Sequence, residues 1–194
     1  MTNQPIVLGS SSPFRRAILE KLGQPFTICS PEIDETHQTD EAAEALVARL
    51  GLAKARAVAA LHPNALIIAS DQVAVLDGQI LGKPGNHQNA QTQLRSASGK
   101  SVLFLTSLIL LNAKTQTIQQ DVIPFTVYFR HLNDSQINNY LHKETPYNCA
   151  GSFKSEGLGI VLFDRLEGDD PNTLMGLPLI RLVRMFENEQ VFVL

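Results

Sequence analysis

The opening segment PIVLGSSSPFRRAILEKLG, residues 5 to 23, constrains the fold more than any other part of the sequence. The apolar run Ile6–Leu8 predicts a short buried strand, and a brief loop separates it from a helix. Ser12 suits the N-cap of that helix, Pro13 suits its first position, and Gly23 suits its C-terminal end. A strand that leads directly into a helix, with the helix N–H groups facing the loop, is typical of α/β proteins that bind anions.

Two arginines occupy the first turn of this predicted helix, where the helix dipole favours acidic residues. Arg15 and Arg16 follow the hydroxyl groups of Ser10 and Ser12. Hydroxyl and backbone N–H donors beside two guanidinium groups indicate a phosphate-binding site. The alternative is a capped surface helix with solvated arginines. The segment lacks the P-loop pattern that would identify a phosphate site, so its spacing is compatible with both interpretations.

The rest of the chain alternates strand and helix patterns. Strands are predicted near residues 26–29 and 65–70 and on both sides of a turn near 112–115, and helices near 41–61, 86–96, 133–141 and the C-terminus. Thr39 or Asp40 is the predicted cap of the long second helix, and Asp77-Gly78 predicts a type I′ hairpin. With 194 residues, 44% of them hydrophobic, we expect a mixed α/β protein with one core or two closely joined lobes.

An aspartate follows the apolar strand ALIIAS, in the sequence Ser70-Asp71-Gln72. Ligands of open α/β folds collect beyond the carboxyl ends of strands, so Asp71 is well placed to bind a metal or to orient water. The alternative is a turn-forming aspartate. The acidic loop PEIDE, residues 31–35, offers oxygen ligands for Mg²⁺, or is simply a solvated loop.

Two later segments carry charged residues of the same kind. Lys83, in Gly82-Lys83-Pro84, and Lys154, in AGSFKSEG, each suit a phosphate group. Glu156 can accept two hydrogen bonds from a guanine-like edge. Each of these residues is also compatible with an ordinary surface position.

Bulk properties exclude several classes of function. A formal net charge of −3 argues against a nucleic-acid-binding protein, because such proteins use a broad basic surface. Cys29 and Cys149 match no zinc or disulfide spacing, so we expect buried thiols in a reducing compartment. The apolar run Val102–Leu111 is too short to span a bilayer. We therefore expect a cytoplasmic protein that binds neither nucleic acid nor membranes.

Six short motifs lie along the chain: GSSSPFRRAILEKLG, PEIDE, AKA, SDQ, GKP and CAGSFKSEG. In this order and spacing they resemble the Maf family of nucleoside triphosphate pyrophosphatases, and the resemblance covers essentially the whole chain. The longer segments SDQVAVLDGQILGKP, AGSFKSEGLGI and RLEGDDPNTLMGLPL are most similar to the bacterial branch that acts on 7-methyl-GTP.

The resemblance implies a single Maf-like domain over residues 1–194, with the α/β fold of inosine triphosphatase-like proteins. That fold is a long, bent mixed sheet flanked by helices, with two lobes, a central cleft and often a homodimer. The resemblance also implies that Mg²⁺, Mn²⁺ or Co²⁺ assists a water molecule in attacking the α-phosphorus of the substrate. Such a reaction converts 7-methyl-GTP to 7-methyl-GMP and pyrophosphate.

Motif by motif, the resemblance implies a role for individual residues. The family's catalytic and phosphate-binding positions correspond to Asp71, Lys54, Lys83, Ser10, Arg15 and Arg16. Its acidic-loop glutamate corresponds to Glu35. The positions that select the substrate correspond to Phe14, Gln72 and Glu156. We expect Glu35 and Asp71 to hold the metal. The chain departs from the family at Ala53, where many members have glutamate, and at Phe14, where close relatives often have tryptophan.

Two other functions stay open from the sequence. One is a dTTP or UTP pyrophosphatase of the same family. Glu156 argues against it, because uracil and thymine present two carbonyl acceptors and a single N–H. The other is a nucleotide-sensing regulator of cell division with little turnover, and the joint presence of Asp71, Lys54 and Lys83 argues against that function.

Overall fold

Residues 4–194 are described by a computed structural model, and this part of the chain forms eight strands and five α-helices. The strands are β1 (Ile6–Leu8), β2 (Phe26–Ile28), β3 (Leu66–Ala69), β4 (Gln72–Leu76), β5 (Gln79–Leu81), β6 (Ser101–Asn112), β7 (Thr117–Phe129) and β8 (Phe163–Glu167). The α-helices are α1 (Pro13–Glu20), α2 (Ala43–Leu61), α3 (His87–Ala97), α4 (Asp134–Glu144) and α5 (Leu179–Asn188).

All eight strands belong to one mixed sheet. Six of them follow the order β2-β1-β3-β6-β4-β5, while β7 pairs with β6 and β8. Strand β1 runs parallel to both β2 and β3, whereas β3 and β6 are antiparallel. This arrangement confirms the prediction of a mixed α/β fold.

Strands β1 and β3 bury both faces, as their continuous apolar runs predict, whereas β2 is partly exposed. Ile6 and Leu8 of β1 join a core cluster that includes residues of α1 and α5. Val7, between them, joins a second cluster that includes Ala55 and Val58 of α2. Successive side chains of a strand point to opposite faces, so helices cover the sheet on both sides.

The chain separates into two compact units. The first unit comprises the chain up to Gln72, Thr106–Ile123 and Asp170–Leu194. The second unit comprises Val73–Leu105 and Pro124–Asp169. In the second unit four phenylalanines pack edge to face, with ring centroids 4.9 to 5.5 Å apart: Phe104, Phe129, Phe153 and Phe163.

Most local signals in the sequence are confirmed. Ser12 caps α1 by accepting the N–H of Arg15, and Asn133 forms a full capping box at the start of α4. Asp77 and Gly78 both have positive φ, as a type I′ turn requires. The predicted cap of α2 is wrong. Its N-cap is Ala42, whose side chain cannot bond the helix N–H groups.

Two further expectations concern burial and membranes. Cys29 and Cys149 are unpaired as predicted, but each is half-buried rather than buried. No helix within residues 4–194 combines the length and the apolar character that crossing a membrane requires.

Candidate functional site

Asp71 lies directly after β3, at the carboxyl end of that strand, and its backbone is fixed by Ser107 of β6. The Asp71 N–H donates to Ser107 Oγ at 2.9 Å, and the Ser107 N–H donates to the Asp71 carbonyl at 2.8 Å. This reciprocal pair of hydrogen bonds fixes the backbone position from which the Asp71 side chain projects. The prediction that Asp71 follows the strand end is confirmed.

Lys54 of α2 joins two carboxylates from distant parts of the sequence. Its Nζ is 2.6 Å from Asp71 Oδ1 and 2.7 Å from Glu35 Oε1. The side chains of Lys54 and Asp71 are 12% and 13% exposed, so the low local dielectric strengthens their attraction. The structure therefore brings Lys54, Asp71 and Glu35 together, three residues that the sequence singled out separately.

The loop that carries Glu35 is held by Arg49 of α2. Arg49 Nε and Nη2 donate to the two carboxylate oxygens of Glu41 at 2.6 and 2.7 Å, and Nη2 also donates to the Thr36 carbonyl at 3.0 Å. The hydrogen bonds from Arg49 lower the pKa of Glu41 to about 2. The bond to the Thr36 carbonyl holds the acidic loop one residue beyond Glu35, and the bidentate pair with Glu41 fixes the Arg49 guanidinium that makes it.

Arg15 has a defined orientation within the first unit. Its Nε donates to the Gly176 carbonyl at 2.8 Å, and its Nη1 donates to Ser10 Oγ at 3.3 Å. Burial lowers the pKa of Arg15, while the negative charges of Asp71 and Glu35 oppose that shift. Arg15 is thus a partly desolvated cation in the field of the two carboxylates that pair with Lys54.

The other predicted residues of α1 are more exposed. Arg16 makes an ion pair with Glu20 at 2.9 Å, and both side chains are more than half exposed. Phe14 is 38% exposed, which leaves part of its ring available to a ligand. Ser12 is occupied by helix capping, and the buried Ser10 hydroxyl accepts the Ser12 N–H at 3.2 Å.

Gln72 is oriented by its amide nitrogen. Its Nε2 donates to the Thr173 carbonyl and to Thr106 Oγ1, both at 2.8 Å, and to the Leu174 carbonyl at 3.3 Å. Backbone carbonyls cannot donate, so the amide nitrogen must face them. Among residues 4–194 the Gln72 Oε1 atom has no hydrogen-bond donor. The amide oxygen of Gln72 is therefore an acceptor that no described residue uses.

In the second unit, the segment around Lys83 is held through its backbone. Asn89 Nδ2 donates to the Pro84 carbonyl at 2.9 Å, and Gln93 Nε2 donates to the Gly82 carbonyl at 3.0 Å. Lys83 itself is exposed, and its ammonium group makes no hydrogen bond or ion pair within the described part of the chain.

Glu156 lies in the second unit on an exposed turn. The charges of Glu156 and Lys83 both act on the Cys149 thiol, whose pKa is raised chiefly by burial and further by the negative charge of Glu156. Lys83 opposes that increase. Both charges therefore act on the same thiol of the second unit.

Comparison with known proteins supplies the family. The family model described as "Maf-like protein" matches residues 5–189. The chain belongs to the Maf-like family. Three relatives named "7-methyl-GTP pyrophosphatase" are similar over nearly the whole chain. The relative from Nitrosococcus oceani is 58% identical over 94% of this chain and 92% of its own length.

The other two Maf-like relatives are equally similar. The Colwellia psychrerythraea protein is 56% identical over 97% of this chain and 94% of its own, and the Pseudomonas aeruginosa protein is 56% identical over 96% and 97%. The solved structure of the Staphylococcus aureus Ham1 protein matches 96% of this chain and 100% of its own, with 14% identity and a TM-score of 0.50. At this level of identity, the Ham1 structure supports the fold of this chain and nothing more.

Three residues position the site in this Maf-like protein although no sequence motif pointed to them. Gly176 supplies the carbonyl that orients Arg15, and Ser107 holds the Asp71 backbone. Gly51 lets α2 approach β6, because a Cβ at that position would lie 2.5 Å from Ser107 Oγ and would overlap Ile109. One signal was present: Thr106 and Ser107 are polar residues inside an otherwise apolar run, and both are fully buried.

Proposed function

We propose that this protein is a nucleoside triphosphate pyrophosphatase that converts 7-methyl-GTP to 7-methyl-GMP and pyrophosphate. The observation that carries the proposal is the contact of Lys54 with both Asp71 and Glu35, just beyond the end of a buried strand. The names of the three relatives at 56–58% identity support the choice of substrate.

Charge balance favours a triphosphate as the ligand. A nucleoside triphosphate carries roughly four negative charges at neutral pH. We assign Arg15, Arg16 and Lys54 of the first unit to the phosphate groups, which concentrates positive charge within that unit in a chain whose net charge is −3. Lys83 of the second unit is assigned to the phosphate groups by its motif. Phosphoryl chemistry depends chiefly on positioning and charge stabilisation, so these cations are as important as the base.

We assign Asp71 the task of orienting and deprotonating the attacking water. Its Oδ1 atom faces Lys54, whereas no donor within residues 4–194 bonds its Oδ2 atom. A carboxylate with one oxygen fixed and the other available can accept a hydrogen bond, and then a proton, from a water molecule placed beside it. Lys54 in turn keeps the carboxylate in a single orientation.

The donor set also fits a divalent cation. Glu35 and Asp71 each contact the Lys54 nitrogen through one carboxylate oxygen, so their carboxylates converge. In the described part of the chain, no group of three or more His, Cys, Asp or Glu residues is arranged to hold a metal. Mg²⁺ is commonly bound by one or two carboxylates together with substrate phosphates. When bound, such an ion supplies positive charge for the phosphate oxygens.

Recognition of the base is assigned to Phe14, Gln72 and Glu156. The N7-methylated guanine ring carries a positive charge, and the face of Phe14 can stack on it with a cation–π contribution of roughly 0.5 to 2 kcal/mol. Gln72 and Glu156 both offer acceptors, which complement the N1–H and exocyclic amine of guanine.

The decisive experiment is a panel of 7-methyl-GTP, GTP, dTTP and UTP with pyrophosphate release as the readout. We expect the highest kcat/KM with 7-methyl-GTP. A preference for dTTP or UTP would support the pyrimidine alternative, and tight binding without turnover would support the regulatory one.

The proposed metal has a separate test. We expect excess EDTA to abolish turnover, and Mg²⁺, Mn²⁺ or Co²⁺ in excess over the chelator to restore it, because oxygen ligands suit these ions. Full activity in EDTA would contradict the assignment of Glu35 and Asp71 as ligands without affecting the substrate assignment.

A further inference from the structure

Glu156 lies on a tightly closed turn, residues 154–159, which we call the Lys154 turn. The Lys154 carbonyl accepts the N–H groups of Gly159 at 3.0 Å and of Gly157 at 3.3 Å. A Cβ atom at Gly159 would overlap the Lys154 carbonyl, so the chain closes more tightly than a side chain there permits. Glu156 is exposed and lies in the chain between Lys154, which accepts these bonds, and the two glycines, which donate them.

Helix α4 holds both ends of this turn through two residues one helical turn apart. Tyr140 Oη accepts the Lys154 N–H at 3.1 Å, and Glu144 Oε2 accepts the Leu158 N–H at 2.8 Å. Residues four apart lie on the same helix face, so a single face of α4 anchors the segment on either side of Glu156. Tyr140 is buried, and burial raises its pKa, so its hydroxyl stays neutral.

The Glu144 carboxylate is devoted to this turn. Besides Leu158, its partner is the Lys154 ammonium, whose Nζ lies 3.2 Å from Glu144 Oε1 and donates to the Glu144 carbonyl at 3.1 Å. Gly157 passes so close that a Cβ there would lie 2.8 Å from Glu144 Oε2. Within residues 4–194 no other element bonds this carboxylate.

This arrangement differs from one that only stabilises the fold. A carboxylate that joined two core elements would affect the whole unit when removed. Glu144 instead bonds the two ends of a turn whose middle carries the exposed Glu156, and the Glu144 side chain is itself 17% exposed. Removal of these bonds should therefore free the turn and change where Glu156 is presented.

We propose that Tyr140 and Glu144 are positioning residues that set the base selectivity of the enzyme by fixing the turn that presents Glu156. This inference rests on the proposed function, in which Glu156 recognises guanine. The expected property is selectivity between nucleotides rather than the rate of phosphate chemistry, because the side chains of Tyr140 and Glu144 bond the turn that carries Glu156.

The test measures kcat/KM for 7-methyl-GTP and for dTTP and follows their ratio. We expect Glu144→Ala to lower the ratio about tenfold, the scale of one weakened pocket contact. Tyr140→Phe removes one neutral hydrogen bond and should lower it about threefold. Glu144→Gln retains an amide oxygen for the Leu158 N–H and should keep the ratio close to the wild-type value, above that of Tyr140→Phe. If Glu144→Ala fails to fold, Tyr140→Phe carries the test and Glu144→Gln is its control.

Two further variants provide the controls. Asp134→Ala removes an ion pair with Arg95 at the opposite end of α4 and should leave the ratio unchanged. The double variant Glu144→Ala with Glu156→Ala should have the same ratio as Glu156→Ala alone, because residues that act through one group are not additive.

Each outcome has a distinct meaning. If Glu156→Ala lowers the ratio but Glu144→Ala and Tyr140→Phe reduce activity toward both nucleotides equally, the positioning role is wrong and the proposed function stands. If Glu156→Ala itself leaves the ratio unchanged, the assignment of Glu156 to the base is wrong, and the positioning role falls with it.

Discussion

The two units hold their candidate site residues in different ways. In the first unit, charged side chains are fixed by direct bonds to one another: Lys54 pairs with Asp71 and Glu35, and Arg15 bonds a backbone carbonyl. In the second unit, Lys83 and Glu156 project from segments that are held through their backbones, and both side chains are exposed. Side-chain pairing fixes the angle of each group, whereas a fastened backbone fixes only its point of attachment.

This difference indicates how each region responds to a ligand. Groups that are already paired lose little conformational freedom on binding, which is the preorganisation that stabilises developing charge. Exposed side chains must be ordered by the ligand, at about 0.5 to 1.5 kcal/mol for each long side chain. We therefore expect substitutions of the paired charged residues of the first unit, Arg15, Lys54 and Asp71, to change the rate with every nucleotide, and substitutions around Glu156 to change the choice of nucleotide.

The largest expected effect comes from Asp71→Asn. The amide keeps the shape of the side chain but cannot accept a proton, so kcat should fall by about 10²- to 10⁴-fold. Nucleotide binding, measured by calorimetry, should persist. An equal loss with 7-methyl-GTP and dTTP would support the expected difference between the two units. A near-normal kcat would mean that Asp71 does not take part in the reaction.

A smaller effect is expected from Arg16→Ala, because a guanidinium that contacts phosphate is worth about 10²- to 10³-fold in kcat/KM. Glu20→Ala is the matched control, since both substitutions break the same exposed ion pair, an interaction worth about 0.3–0.5 kcal/mol. Glu20→Ala should change kcat/KM by less than about twofold, and thermal denaturation should give similar midpoints for both variants. If the two variants lose activity equally, Arg16 has only a structural role in α1.

Gly176→Ala tests whether the orientation of Arg15 matters. Gly176 has φ of +96°, and a Cβ there would lie 3.1 Å from Arg15 Nε. Gly23→Ala is the control, because its φ of +65° is also positive and costs backbone strain, but no neighbour lies within 4 Å of the added Cβ. Both variants should lose about 1 to 3 kcal/mol of unfolding free energy in urea titrations.

Only Gly176→Ala should also lower kcat/KM, by about tenfold with every nucleotide, as a misplaced binding group does. Equal kcat/KM values for the Gly176 and Gly23 variants would mean that the Arg15 contact does not contribute to turnover.

The smallest effect concerns the loop that carries Glu35. Glu41 has a pKa of about 2 in the folded protein against an ordinary value of 4.5, so its ion pair stabilises the fold above pH 4.5 and this contribution is lost as the pH falls toward 2. Glu41→Gln should therefore be less stable than wild type at pH 7 in urea titrations. The difference between the two proteins should shrink steadily below pH 4.5. A difference that persists unchanged at pH 3 would contradict the ion-pair explanation.

Local features of the fold were predictable because their causes lie within a few residues. The Ser12 cap, the Asn133 capping box and the Asp77-Gly78 turn each depend on side chains or φ angles next to the feature. The start of α2 was predicted wrongly for a distant reason. Glu41, just beyond Thr39 and Asp40, bonds Arg49 eight residues along the chain, and the helix begins at Ala43 without a side-chain cap.

The candidate site was predictable as residue types but not as contacts. Family motifs pointed to Arg15, Lys54 and Asp71, yet nothing in the sequence linked Arg15 to Gly176, which lies 161 positions away. A backbone carbonyl carries no residue-specific signal, so such a partner cannot be read from residue identity. The Tyr140 and Glu144 contacts with the Lys154 turn are of the same kind, since they bind backbone N–H groups.

The glycine in the middle of α2 has a consequence for protein engineering. Replacing a helical glycine with alanine is a standard way to increase thermal stability, with a gain of roughly 0.5–1 kcal/mol from helix propensity. At Gly51 the added methyl group would meet Ser107 Oγ at 2.5 Å, and overpacking of this kind costs about 1–3 kcal/mol. The Gly51→Ala variant would therefore be less stable than wild type. It would also displace the hydroxyl group that holds the Asp71 backbone.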